Sequence, residues 1–171
     1  MTALTFVDTN VLLYAVDTSD GTKHRSAREW MDKLWRDRTG RTSVQVLSEF
    51  YVNATRLLSR GLSKEQAWEH VVALSEWAPQ PIDFQILEFG QQVQARHGLS
   101  WWDSLIVAAA HAQGCGILLT EDLQHDADYA GVTAVNPFIA RVQDAPGRYA
   151  PALPSPPLRG RGRPKKAAST A

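Results

Sequence analysis

Residues 4–10, with the sequence LTFVDTN, constrain the fold more than any other stretch of this chain. The first four are apolar or β-branched and predict a short buried strand, while the apolar run after Asn10 predicts a helix. Asp8 therefore lies where the strand ends. Because open α/β sheets form their ligand crevices at the carboxyl ends of strands, Asp8 is a candidate site residue. The alternative is that Asp8 or Asn10 caps the helix.

The same pattern recurs later in the chain. Residues 115–119 predict a second buried strand, which Thr120 and Asp122 follow, and residues 131–135 predict a third strand. Stretches with apolar residues at helical spacing separate these strands. The alternation predicts an α/β fold, a three-layer α/β/α sandwich with a mostly parallel central sheet. It does not predict the order of the strands.

Local signals mark several element boundaries between the first and second predicted strands. Ser63 and Gln66 have the spacing of a capping box, and Asp83 is placed to cap a helix that Gly98 closes. Residues 79–82 are flanked by prolines and predict a short edge strand. The interval is therefore mostly helical.

Four acids occupy comparable positions in this pattern. Asp8 and Asp122 follow strands, Glu49 lies beside the apolar stripe of a helix, and Asp103 lies in the first turn of another helix. Carboxylate oxygens are ligands that Mg²⁺ prefers, and clustered carboxylates repel one another without a cation. If the four acids converge, they predict a divalent metal site of the kind that activates water against a phosphodiester.

Each acid also has a structural interpretation when it is considered alone. Glu49 can belong to a solvated helix face, Asp103 can interact with the helix dipole, and Asp122 can form an Asx turn. The joint occurrence of the four acids favours the metal site. With Asp8 assigned to the metal, the cap of the first helix is predicted to be Thr9 or Asn10.

Four segments resemble the signature segments of PIN-domain ribonucleases, and most closely those of the VapC toxins of bacterial toxin–antitoxin pairs. They are residues 6–14 (FVDTNVLLY), 43–50 (SVQVLSEF), 99–106 (LSWWDSLI) and 118–124 (LLTEDLQ). They occur in the family's order, and the resemblance extends over about residues 3–138.

The resemblance implies a Mg²⁺- or Mn²⁺-dependent endoribonuclease that hydrolyses RNA phosphodiester bonds. It implies a homodimer and a cognate antitoxin that blocks the acidic pocket. A non-catalytic PIN-like nucleic-acid-binding module is the alternative. Asp126 competes with Asp122 for the last acidic position, and Asp122 is preferred because it directly follows the strand. The implied catalytic and metal-binding residues are Asp8, Glu49, Asp103 and Asp122, with Asn10 as a supporting or substrate-facing group and Thr120 orienting the last acid.

Charge divides the chain into a body and a tail. Residues 151–171 at the end of the tail have five bases and no acid, which leaves residues 1–150 with 13 of the 18 bases and all 18 acids. The composition from residue 144 onward predicts disorder, so the expected division is a nuclease domain at 1–143 and a basic tail at 144–171. The five bases are Arg159, Arg161, Arg163, Lys165 and Lys166.

The segment RGRGRPKK at residues 159–166 resembles an AT-hook, in which Arg enters the narrow minor groove of A·T-rich DNA. A generic tail that binds any polyanion is the alternative. Either interpretation allows the tail to contact DNA or to hold RNA near the acidic pocket.

Length and composition limit the cellular compartments in which the protein is expected. The chain of 171 residues is suited to one compact domain, and its single cysteine, Cys115, excludes an intramolecular disulfide. No apolar run approaches the roughly 20 residues of a membrane span. We therefore expect a cytoplasmic protein without membrane contact.

Overall fold

The computed structural model describes residues 3–56 and 61–139. The predicted domain boundary at residue 143 and the basic tail lie outside the described residues. In chain order, the elements are β1 (Thr5–Val7), α1 (Thr9–Val16), α2 (Gly21–Asp37), β2 (Gly40–Arg41), α3 (Val44–Arg56), α4 (Lys64–Leu74), a 3₁₀ turn (Ser75–Trp77), α5 (Phe84–His97), α6 (Trp101–Ala112), β3 (Ile117–Leu119), β4 (Asp128–Tyr129) and β5 (Val132–Val135).

The strands form one sheet in the order β2-β1-β3-β5-β4. Three of the strand pairs are parallel, and only β4 runs antiparallel to its neighbour β5. This confirms the predicted α/β sandwich with a mostly parallel sheet. In the register of the two central strands, Val7 is opposite Leu119. The residues that follow β1 and β3 consequently leave the sheet side by side.

Burial explains why the central strands are continuous apolar runs. All residues of β1 and β3 are buried, as expected for parallel strands covered on both faces. The three consecutive alanines of α6, residues 108–110, are also buried and permit close packing. The core thus fixes the two strands that carry Asp8 and Asp122.

The predicted helix boundaries are largely confirmed. Ser63 and Gln66 form both hydrogen bonds of a capping box, and Asp83 caps α5 by accepting from the backbone N–H of Ile86. Gly98 closes α5 in the left-handed conformation, at φ 67°.

One strand prediction is wrong, and one strand of the structure was not predicted. Residues 79–82 do not form a strand, because Gln80 makes only an isolated parallel bridge with Ser43 and the flanking prolines offer no further N–H donors. The short strand β4 had no prediction, since its two residues are too few to show a periodic pattern.

The start of α1 corrects the predicted cap. Asp8 is the N-cap residue in an extended conformation, and its Oδ1 accepts from the backbone N–H of Thr9 at 2.7 Å. The prediction of Thr9 or Asn10 as the cap is wrong, because the strand geometry persists through Asp8 and both later residues are already helical. Asp8 therefore ends the strand and caps the helix.

None of the helices in the described ranges is both long and apolar enough to cross a membrane.

Candidate acidic active site

Asp8 is a buried carboxylate at the centre of the candidate site. Its side chain is held at both oxygens, since Oδ1 accepts from the N–H of Thr9 and Oδ2 accepts from the hydroxyl of Thr120 at 2.8 Å. The residue is only 7% exposed. These contacts fix the carboxylate at the carboxyl edge of β1 and β3.

The surroundings of Asp8 favour its protonated form. Burial raises the pKa of the Asp8 carboxyl from 3.8 to about 7, although the hydrogen bonds from Thr120 and Thr9 oppose the shift. The negative charges of Asp122 and Glu49 raise this pKa further. The site therefore favours addition of positive charge, as a proton or as a cation.

Asn10 and Thr120 link Asp8 to the second strand-end acid. The Asn10 amide nitrogen lies 2.9 Å from Oδ2 of Asp122, 3.2 Å from the Thr120 hydroxyl and 3.4 Å from Oδ2 of Asp8. The Thr120 hydroxyl also accepts from the backbone N–H of Asp122 at 3.1 Å. Thr120 thus hydrogen-bonds to the backbone of Asp122 and to the side chain of Asp8.

Glu49 reaches the same edge of the sheet from α3. Its Oε2 accepts from the Thr9 hydroxyl at 3.3 Å, and its Oε1 accepts from the Gln45 amide at 2.9 Å. The Gln45 amide nitrogen also lies 3.5 Å from the carbonyl oxygen of Trp102. Glu49 is therefore joined to Asp8 through Thr9 and to the start of α6 through Gln45.

Asp103 is held separately. Its Oδ2 accepts from the Ser100 hydroxyl at 2.6 Å, and its backbone N–H donates to the same hydroxyl at 3.1 Å. Ser100 is the N-cap of α6. In the described part of the chain, no hydrogen bond links Asp103 to the other three acids.

The competing acid Asp126 faces a different neighbour. Its carboxylate lies 3.7 Å from Nε2 of His125, and its backbone adopts a left-handed conformation at φ 63°. Asp122, which contacts Asn10, is thus the acid that lies beside Asp8.

The donor chemistry of the site is suited to a hard divalent cation. All the acids offer oxygen ligands, and Oδ1 of Asn10 is buried without a hydrogen-bond partner. The high pKa of Asp8 shows that positive charge is favourable there. Within residues 3–56 and 61–139, however, no three His, Cys, Asp or Glu side chains are close enough together to hold a metal ion. The oxygen donors of the site therefore suit a divalent ion. The acids would have to move closer together for several of them to bind the same ion.

The segments that build this network also match a known family. The family model described as PIN domain matches residues 5–128. The chain belongs to the PIN domain family. The resemblance found in the sequence is therefore confirmed at the level of the family.

Two solved structures share the fold of this PIN domain. A toxin–antitoxin complex from Klebsiella pneumoniae is 22% identical, with a TM-score of 0.56 and coverage of 78% of this chain and 97% of that chain. VapC20 from Mycobacterium tuberculosis, described as a sarcin-ricin loop cleaving toxin, is 20% identical, with a TM-score of 0.52 and coverage of 69% and 91%. A search of curated proteins gave no match. At these identities the likeness establishes the fold.

A lysine contact at the edge of the PIN domain site was not predicted from the sequence. Lys23 Nζ donates to Oε2 of Glu121 at 2.6 Å and to the Tyr14 hydroxyl at 3.1 Å. It also lies 5.0 Å from the centre of the Phe138 ring. Because Glu121 directly precedes Asp122, this lysine fastens the loop that carries Asp122 to α2.

Replacing Thr120 by Val is expected to lower the free energy of unfolding by about 1–3 kcal/mol, since the buried Asp8 carboxyl loses a hydrogen-bond donor. The pKa of Asp8 should rise further, because this hydrogen bond opposes the effect of burial. Urea unfolding measures the first effect, and NMR titration of the Asp8 carboxyl measures the second.

The matched control for this prediction is Thr133→Val, on the neighbouring strand β5. Thr120→Ser, which keeps the hydroxyl, should behave more like the wild type than Thr120→Val does. Equal destabilisation by Thr120→Val and Thr133→Val would contradict the assigned role of the hydroxyl.

Proposed function

We propose that this PIN domain is a Mg²⁺- or Mn²⁺-dependent endoribonuclease that hydrolyses RNA phosphodiester bonds, and that it is the toxin of a toxin–antitoxin pair. The single observation that carries the proposal is the buried Asp8 carboxylate, whose pKa is raised to about 7 beside Asp122 and Glu49. Burying a carboxylate beside two others is unfavourable for stability, and a cation at a catalytic site offsets the repulsion.

Asp8 and Asp122 are the proposed primary ligands, and Glu49 and Asp103 complete the proposed acidic set. When bound, a divalent ion would lower the pKa of a coordinated water and stabilise the leaving oxygen of a phosphodiester. Carboxylate and phosphate oxygens are the ligands expected for Mg²⁺, which usually retains several waters.

The protein's own residues prepare the acids for this role. Thr120 and the N–H of Thr9 fix the two oxygens of Asp8, so that the carboxylate has one orientation. The Asn10 amide fixes Asp122 relative to Asp8. A site whose ligands are already oriented loses less conformational entropy when it binds its ion and substrate.

The proposed partners are an RNA substrate, an antitoxin and a second copy of the chain. The structural neighbours support the first two, since one is described as a toxin–antitoxin complex and the other as a toxin that cleaves the sarcin-ricin loop. An acidic pocket also attracts a basic peptide, because a peptide cation can pair with carboxylates in place of a metal ion.

Sequencing of RNA ends after controlled expression of the protein in cells tests the proposed activity and, in the same experiment, identifies the substrate. New RNA ends should accumulate in cells that express the wild type and should be missing in cells that express Asp8→Asn. The matched control is Asp126→Asn, which should give the wild-type pattern because Asp126 faces His125. Equal patterns from the wild type and Asp8→Asn would refute the enzymatic proposal.

The basic tail is proposed to bind nucleic acid through phosphate charges. Deleting residues 151–171 removes five bases and should reduce the salt dependence of binding, by up to about 0.7 in the slope of log K for each lost contact with single-stranded RNA. Filter binding at several KCl concentrations measures this slope, and A·T-rich and G·C-rich duplexes test for DNA preference.

Hydrolysis of a short RNA should survive this deletion, because the acids all lie within the PIN domain. A charge-preserving scramble of residues 151–171 is the control for an AT-hook. Loss of hydrolysis on deletion would instead place the tail in the catalytic machinery.

A further inference from the structure

A groove of about 650 Å³ opens between the start of α3 and the start of α6. Its apolar side chains are unusually exposed, with Trp102 at 62%, Val44 at 49% and Ile82 at 42%. Large apolar side chains grouped at the surface commonly mark a binding site. The groove is lined by Val44, Gln45, Ser48, Glu49, Ile82 and Trp102.

The groove is continuous with the candidate active site. Glu49 belongs to both, and Trp102 directly precedes Asp103. The Gln45 amide spans the two sides, at 2.9 Å from Glu49 Oε1 and 3.5 Å from the carbonyl oxygen of Trp102. A substrate phosphate at the acids would therefore bring its neighbouring nucleotide to this groove.

We propose that the groove is a subsite that stacks an unpaired RNA base next to the scissile phosphate, with the Trp102 indole as the stacking surface. This inference rests on the proposed ribonuclease function. Proteins that recognise single-stranded RNA stack splayed bases on aromatic side chains and bond the polar base edges. Here Trp102 supplies the aromatic face, and the exposed Ser48 hydroxyl supplies a polar group.

The polar lining favours a base over a second copy of the chain. An apolar partner surface would take water away from the half-buried Glu49 carboxylate and from the exposed Ser48 hydroxyl without offering them hydrogen bonds. A base has N–H donors and carbonyl acceptors around an apolar ring. It can therefore cover Trp102 and still bond to the polar lining.

Fluorescence anisotropy tests the subsite with two labelled probes of equal length and charge, an oligouridylate and an abasic ribose–phosphate oligomer. Binding is measured in an Asp8→Asn background, in which hydrolysis is expected to stop. The preference for oligouridylate should be roughly 10-fold, the scale of one stacked base. Adding Trp102→Ala should remove this preference, and adding Trp102→Phe should retain most of it.

The matched control is Trp68→Ala, because Trp68 on α4 has a similar exposure, 59%, and does not line the groove. It should leave the base preference unchanged. If Trp102→Ala does not fold by circular dichroism, Ile82→Ala tests the same groove and should reduce the preference.

Two results would overturn the proposal. One is a base preference that survives Trp102→Ala, or Ile82→Ala where the former does not fold. The other is a change of mass in sedimentation caused by Trp102→Ala, which would assign the groove to a second copy. The proposed ribonuclease function would fail by a different result, namely wild-type protein that cleaves no RNA with Mg²⁺ or Mn²⁺. The ratio of the affinities for oligouridylate and the abasic oligomer is measured independently of that result.

Discussion

Replacing Asp8 by Asn is expected to lower the rate of metal-dependent RNA cleavage by at least about 100-fold. A loss of this size is at the upper end of the range for residues that support a metal ligand without binding the metal themselves. Asn has nearly the same size as Asp and can still accept from the N–H of Thr9. The fold should therefore persist. The change removes the negative charge that the proposed cation would need at the buried centre of the site.

Initial rates of cleavage of a labelled RNA with Mg²⁺ and with Mn²⁺ measure this loss, and circular dichroism confirms the fold. Asp126→Asn is again the control, because Asn tolerates the left-handed backbone at position 126. Asp103→Asn should also abolish cleavage. That result would show that Asp103 acts together with the other three acids although no hydrogen bond in the described residues links it to them. Full activity of Asp8→Asn would remove Asp8 from the mechanism.

The same substitution is expected to stabilise the metal-free protein at alkaline pH. The pKa of Asp8 is about 7 in the folded protein and 3.8 when the residue is unperturbed. Between these two pH values the Asp8 carboxyl binds more protons in the folded state than in the unfolded state. The free energy of unfolding therefore falls as the pH rises through this range and levels off above pH 7. Near pH 8 Asp8→Asn should be more stable than the wild type by up to about 4 kcal/mol.

Urea unfolding in EDTA at pH 5 and pH 8 measures this difference. The gap between Asp8→Asn and the wild type should open as the pH rises, and Mg²⁺ should narrow it by stabilising the wild type alone. Asp126→Asn should follow the pH dependence of the wild type. A gap that does not change with pH would mean that Asp8 titrates normally.

The sheet and the two strand-end acids could be predicted because they depend on local sequence. A buried strand is recognised as a short apolar run, and the residue at its carboxyl end is then read directly from the sequence. The register that sets Val7 opposite Leu119 then brings Asp8 and Asp122 together, a result that needs only two adjacent parallel strands. The assignment of the four acids to one metal site stays a prediction.

Other parts of the site depend on packing between distant segments. The contact of Lys23 with Glu121 joins α2 to the loop after β3, and no local pattern indicates it. Gln45 offered a weak signal, since it lies one helical turn before Glu49 on the same helix face. The cap of α1 was misassigned because one carboxylate was assumed to have one role, whereas Asp8 has two acceptor oxygens.

The pairing of β1 with β3 has a consequence for the order in which the protein is made. Asp8 and the Thr120 hydroxyl that holds it are 112 positions apart, so a nascent chain carries Asp8 long before its partner is synthesised. Contacts between such distant segments also slow folding, because a long loop must close first. A ribosome-bound fragment that ends before Thr120 would lack the assembled acids, and translation itself would delay the appearance of any activity that depends on them.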